Sequence, residues 1–424
     1  MFGSAAQNII ALSDSVFLYH LSEIDFAAIG FISVFYLIIA AVGFGFSKGG
    51  QILIARQYGA RNYKEIGRSF YTLMWFEMGI ATLMFLLMQY VVPHVFEWFV
   101  ESKAIYQKSM EYLHPRSIGV FFSYAGLVFF ALYMGMARTR IIMWSTIILA
   151  TINIILNYGL IFGKWGLPFM GIAGAGWAST IAEAITLCFF IGYVVADRKV
   201  RIVQLYPFEP LKWWRLEKIW RMSSPLVGQA LLGMGSWFLF FTFVEKLGER
   251  ALAISNLIRI VYLILSIPAW GYSATINTLV SNFIGAQKRL AVWPIIKKTA
   301  QLSVFNTTVL ALPVCLLPEY LLYPFFGSEQ VTLLQEAKPL FYLLLPILGT
   351  FSYGLIVFNG LLGTGKTFHA LRLQTYTVVI YVLYLWAVVA YAHSGLIWAW
   401  CSEIVYWLLI ILLSRHYLIR NKWR

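Results

Sequence analysis

Long apolar runs, broken only by short polar segments, recur from one end of the chain to the other. Each reaches roughly 20 residues, enough at about 1.5 Å per residue to cross the roughly 30 Å of a bilayer's hydrocarbon core. The pattern predicts twelve spans, near residues 1–20, 25–58, 68–92, 110–136, 141–163, 171–196, 221–245, 251–285, 297–324, 338–363, 370–391 and 395–417. Runs well beyond about 25 residues must tilt, kink or project into water. The expected fold class is an all-α polytopic membrane protein of about twelve transmembrane helices.

An internal repeat organises these spans. Gly45-Phe46-Ser47 and Gly59-Ala60 return as Gly271-Tyr272-Ser273 and Gly285-Ala286 at an offset of 226, which the pairs Leu21/Leu247, Ala27/Ala253 and Leu53/Leu279 also keep. Gly135-Met136-Ala137-Arg138-Thr139 maps onto Gly363-Thr364-Gly365-Lys366-Thr367 at an offset of 228. Two six-helix halves follow. Because six is even, both enter from the same side, as parallel lobes related by a pseudo-twofold axis along the membrane normal. The expected division is an N-terminal lobe over 1–196, a polar cytoplasmic linker over 197–220 and a C-terminal lobe over 221–424. In the linker, Lys212-Trp213-Trp214-Arg215 has the amphipathic mix of an interfacial helix.

Composition agrees: 424 residues, 60% apolar and 12% charged, with a mean hydropathy of +0.75. The net charge of +14 has a topological origin. Of the Lys and Arg residues, 23 fall on the side of the two termini and 7 in the opposite loops, Arg116 among the latter. Both termini are thus expected in the cytoplasm. The basic residues meet anionic headgroups, and no nucleic acid is expected as a partner. No Lys or Arg precedes Lys48, which suggests that Met1 lies inside the first helix rather than ahead of it. Cys188, Cys315 and Cys401 lack metal-ligand spacing and read as apolar fillers. Gly360-Leu361-Leu362-Gly363-Thr364-Gly365-Lys366-Thr367 has the letters of a phosphate-binding loop, but it closes an apolar helix and reads as a cytoplasmic turn. No catalytic cluster is present and the six histidines are scattered, so an enzyme is not expected.

Charges inside the spans are where chemistry is sought. Asp14, in the run Ser13-Asp14-Ser15-Val16-Phe17, lies roughly 10 Å from the outer end of the first helix. Asn153 and Asn157 share a face of helix 5, and Thr180 and Glu183 a face of helix 6, at the same level. These five converge as a proton or cation site, with Asp14 the proton carrier and no Lys or Arg expected at its depth in this half. Lys48 and Glu77 are expected to form a structural ion pair at matched depth. Arg259 could be neutralised by Glu403 or Glu245, giving a second polar site in the C-terminal lobe. Deep aromatics, Phe35, Tyr36, Tyr133, Trp237, Tyr262 and Tyr353, are candidates to line a cleft for flat or cationic substrates.

The motifs resemble those of the multidrug and toxic compound extrusion (MATE) transporters of the multidrug/oligosaccharidyl-lipid/polysaccharide flippase superfamily. Leu12-Ser13-Asp14-Ser15-Val16-Phe17 with Ala27-Ala28-Ile29-Gly30 looks like that family's first-helix Asp motif and the entry to helix 2. Gly43-Phe44-Gly45-Phe46-Ser47 with Gln57-Tyr58-Gly59-Ala60 is similar to its second helix. Asn153 to Asn157, Leu160-Ile161-Phe162-Gly163 and Gly171-Ile172-Ala173-Gly174-Ala175 with Ala178-Ser179-Thr180 look like its helix 5 and 6 signature. The resemblance implies a V-shaped secondary antiporter of the inner (plasma) membrane that exports cationic or amphipathic compounds against inward H⁺ or Na⁺, without other cofactors; a monomer is expected. It puts Asp14, Asn153, Asn157 and Thr180 on the cation-site positions. The family usually has Asp where Asn157 stands, which argues for H⁺ unless Glu183 substitutes, with Na⁺ at Asp14 the alternative. The family's helix 7 acid has no counterpart in the stretch from Gln229 to Gly233. The rival reading is a flippase for a lipid-linked precursor, which should need a strongly basic cleft.

Overall fold

Helices as apolar as these hold together in a membrane by close packing and by hydrogen bonds, since the lipid is as apolar as their side chains. The computed structural model describes residues 10, 13–197, 203, 205, 210, 212–318, 331–392 and 394–420, with the side chains of 331 and 332 excepted. The described secondary structure is helical without strands. In chain order we label α1 (13–19), α2 (Glu23–Gly59), α3 (Tyr63–Phe99), α4 (Lys103–Gly135), α5 (Thr139–Phe162), α6 (Gly171–Ala196) and α7 (Trp213–Glu245). Then follow α8 (Glu249–Leu265 and Ile267–Gly285), α9 (Val292–Leu316), α10 (Val331–Gly363), α11 (Thr367–Tyr391) and α12 (Leu396–Ile419). Among the described residues ten helices are long and apolar enough to cross a bilayer, eleven with α8, and α1 precedes them. The twelve-helix, two-lobe layout is therefore met.

The helix ends follow ordinary chemistry. Ser22, Asn62 and Ser102 cap α2, α3 and α4, each side chain accepting a backbone N–H three residues on. Gly163 ends α5 in the left-handed conformation, φ 63° and ψ 42°. Several helices outrun the apolar runs that predict them, α3, α4 and α7 among them, because their polar first turns continue into water. The expected span 251–285 is not straight: it bends by 48° at Ser266, just ahead of Pro268. Proline offers no N–H and disfavours helical geometry before it, so α8 breaks there.

The chain divides into two compact units, Phe2–Val227 and Gly228–Arg424. The division falls within α7. Its first turns pack in the first unit, where Ser223 donates to the Phe46 carbonyl at 3.0 Å and Trp220 stacks on the Phe46 ring at 5.6 Å. The expected linker lies mostly outside the described residues, as does the start of the expected first span before residue 10.

In the first unit α4 packs against α2, α3 and α6, with a core that includes Leu18, Ile29, Ile32, Tyr124, Ile161 and Ile172. Small residues at the head of α6 permit the close approach. A Cβ on Gly174 would sit 2.7 Å from the Leu160 backbone, and one on Gly176 would sit 2.8 Å from the Tyr112 carbonyl. In the second unit α10 is central, against α8, α9 and α12, around Phe240, Tyr262, Phe341, Phe351 and Trp400. The turn with phosphate-loop letters ends α10, where Ser281 donates to the Gly363 carbonyl at 2.8 Å.

Candidate functional site

α1, α4, α5 and α6 each bring a polar side chain to one point in the first unit. The point is Asp14, completely buried on α1. Asn157 donates its amide N–H to Oδ1 at 2.8 Å, the Tyr112 hydroxyl donates to Oδ2 at 2.9 Å, and the Ser179 hydroxyl donates to Oδ2 at 3.2 Å. Asn153 completes the shell, donating to Ser179 Oγ at 3.0 Å and standing 3.3 Å from the Asn157 amide nitrogen. Asn153 and Asn157 share a face of α5 because they are four residues apart. Among the described residues, every hydrogen bond to Asp14 thus comes from a neutral donor, and no ion pair reaches it.

One turn along α4 and α6 lies a second arrangement. Arg116 donates to both carboxylate oxygens of Glu183, at 3.0 and 3.1 Å, with 1% and 4% of the two side chains exposed. The Tyr36 ring covers the guanidinium, its centroid 4.0 Å from Cζ. Breaking such a buried pair by removing one partner typically costs about 3–5 kcal/mol, because the other charge is left uncompensated.

Several expectations are corrected by this geometry. Arg116 is buried in α4 rather than set in an outer loop, so a cation does stand near the level of Asp14; α4 begins at Lys103 and carries it inward. Thr180 does not join Asp14. One residue of helical rotation turns its hydroxyl to the Pro115 carbonyl at 2.9 Å, and Ser179 takes the expected place. Glu183 is spent on Arg116 and is not a ligand beside Asp14. No hydrogen bond joins Glu77 to Lys48: both Glu77 oxygens are buried without a hydrogen-bond partner among the described residues.

The expected Arg259 cluster does not assemble either. Arg259 is exposed and lies over the Phe241 ring at 4.8 Å, Glu245 is exposed, and Glu403 points inward. Glu403 accepts from the Tyr381 hydroxyl at 3.3 Å and from the Trp407 indole at 3.2 Å. The aromatic candidates are packed within their own units. Phe35 meets Phe96, Tyr133 stacks on Phe190, and Trp237 lies against Tyr262 and Trp400, while Tyr353 is half-buried on α10. Where the helix 7 acid was missed, Gln229 donates to the Thr367 carbonyl and its own carbonyl accepts from Gln374.

Sequence reasoning missed Tyr112, Ser179 and Arg116. The spacing carried a signal, because Ser179 and Glu183, like Tyr112 and Arg116, are four apart and share a helix face.

Comparison with known proteins agrees with this architecture. The model of the MatE family matches residues 1–159 and 225–391. The "Probable multidrug resistance protein NorM" of Thermotoga maritima is 26% identical over 434 residues, covering 98% of this chain and 89% of the relative. The protein of the same name from Synechocystis sp. is 27% identical over 304 residues, 70% of this chain and 64% of the relative. A solved structure described as the outward-facing conformation of a multidrug resistance MATE family transporter superposes with a TM-score of 0.88 at 18% identity, covering 99% and 94% of the two chains. A transporter of the MOP superfamily from Pyrococcus furiosus gives 0.87 at 18% identity, over 100% and 94%.

Proposed function

The chain belongs to the MatE family of membrane transporters, and from that premise we propose a secondary antiporter that exports cationic or amphipathic small molecules in exchange for inward H⁺. It is a transporter and not an enzyme. The observation that carries the ion assignment is Asp14: a carboxyl completely enclosed in the membrane, held by three neutral donors, with no ion pair among the described residues. A charge in that position is costly unless the protein uses it.

The chemistry follows from what the donors do in each state. An ionised Asp14 accepts from Asn157, Tyr112 and Ser179 and so ties α1 to α4, α5 and α6. Protonation makes one oxygen a donor and weakens these charge-assisted bonds, which are about twice as strong as neutral ones. Loosening α1 from three helices at once is a local change able to bias the exchange of access between the two sides. Asn157 in place of a second carboxylate favours H⁺ over Na⁺, which prefers charged oxygen ligands. The same reading puts the protein in the plasma membrane with both termini cytoplasmic, as a monomer without an organic cofactor. The lipid-precursor flippase finds less support: the buried Arg116 is committed to Glu183, and Arg259 is exposed.

The test uses proteoliposomes loaded with a pH-sensitive dye, an imposed H⁺ or Na⁺ gradient, and added ethidium. Ethidium-dependent proton flux in the wild type, reduced at least tenfold by Asp14→Asn, is expected. Flux unchanged by that substitution removes Asp14 from the coupling role.

A further inference from the structure

The coupling reading uses Asp14 and leaves the neighbouring ion pair without a role. α4 and α6 carry two rungs. On the first, Tyr112 and Ser179 donate to Asp14; on the second, four residues and about 6 Å further along each helix, Arg116 holds Glu183. The second rung is closed on its other sides. Tyr36 of α2 covers the guanidinium, and a Cβ at Gly119 would lie 3.2 Å from Glu183 Oε2 and 2.6 Å from Thr180 Oγ1.

A proton needs one oxygen. A hard cation needs several, and its affinity rises with the charge of the ligand set. The buried carboxylate of Glu183 stands one turn along α6 from Ser179, which donates to Asp14, and Arg116 takes both of its oxygens. The side-chain oxygen of Asn157, buried without a hydrogen-bond partner among the described residues, is a further ligand already in place beside Asp14. We propose that Arg116 is a selectivity-determining residue: by occupying both oxygens of Glu183 it withholds the second carboxylate from the Asp14 site and reserves that site for the proton. This rests on Asp14 being the coupling group. Arg116 acts through Glu183 and touches neither ion.

The test is Na⁺ binding by the full-length protein in detergent, read as the thermal midpoint in 100 mM NaCl against 100 mM choline chloride. The wild type should show no Na⁺-specific shift. Arg116→Met and the milder Arg116→Gln should each gain about 1–2 °C or more, as for a ligand at about ten times its dissociation constant. Arg116→Met, with Glu183 uncompensated, should be the less stable in choline and recover in NaCl. The double variant Arg116→Gln/Glu183→Gln should lose the gain. A Na⁺-specific shift in the wild type overturns the proposal, as does the absence of any in both single variants. Because the readout is binding, proton flux that fails the transport test while the Na⁺ gain persists would sink the antiporter reading alone.

Discussion

At the scale of single residues, the site is a set of hydrogen bonds whose worth can be measured. Tyr112 donates to Asp14 from inside the protein, and a bond to a charged acceptor contributes about 1.5–3 kcal/mol. Tyr112→Phe removes only that donor, so ethidium-driven proton flux should fall roughly tenfold or more, while the melting point should drop by only a few degrees. Flux at the wild-type rate would show that the Tyr112 bond is idle in the cycle. Asn157→Asp makes the converse change, setting a second carboxylate 2.8 Å from the first. Na⁺-driven ethidium export should appear in that variant and be absent from the parent. The sequence made Asp14, Asn153 and Asn157 legible because buried polar groups at helical spacing announce themselves. It hid Arg116, since an arginine six residues inside an expected span also passes for a loop cation; only the course of α4 decides between them. The choice of Ser179 over Thr180 turned on about 100° of helical rotation, finer than a depth estimate can resolve.

At the scale of helices, the precision of the site depends on how closely α4, α5 and α6 approach. α6 opens with Gly171, Gly174 and Gly176; the Leu160 backbone fills the place of a side chain at Gly174, and the Pro115 ring and Tyr112 carbonyl fill it at Gly176. Gly176→Val should separate α6 from α4, where a Cβ already meets Pro115 Cγ at 2.6 Å, and loosen both rungs together. Overpacking of this kind costs about 1–3 kcal/mol, so the solubilised variant should melt several degrees lower, and proton flux should fall with it. Gly192→Val is the control: nothing lies within 4 Å of a Cβ there, and its midpoint should match the wild type. Equal melting of the two variants would mean that the tight α4–α6 contact carries no stability. Helix type and order were readable from apolar run lengths, because a bilayer leaves a spanning segment little alternative. The bend in α8 was foreshadowed only as a need to tilt or kink; Pro268 supplies its place.

At the scale of the whole molecule, the two halves were readable from the repeat, whereas the roles of their carboxyls were not. Besides Asp14 the described spans bury Asp25 at the start of α2, which accepts from Ser22 and lies 4.0 Å from the Lys108 ammonium, Glu77, without a hydrogen-bond partner among the described residues, Glu183, paired with Arg116, and Glu403, held by Tyr381 and Trp407. They differ in what surrounds them, and that difference constrains stoichiometry. Glu183 is neutralised internally, and Glu403 and Glu77 sit apart from the α1, α4, α5 and α6 contacts that protonation of Asp14 would loosen. With Asp14 as the single coupling group proposed above, one proton moves per cycle. Exchanged for a monovalent cation, that proton moves no net charge, so the membrane potential contributes nothing and the pH gradient supplies all the work. Each pH unit is worth about 1.4 kcal/mol, a tenfold concentration ratio. In vesicles with the potential clamped by valinomycin and K⁺, the limiting ethidium ratio should therefore rise one decade per unit of pH difference and ignore the clamped voltage, where each 100 mV would otherwise add about 2.3 kcal/mol per net charge. A slope of two decades with voltage dependence would mean that a second acid takes part, and Glu77→Gln and Glu403→Gln would then show which one by returning the slope to one.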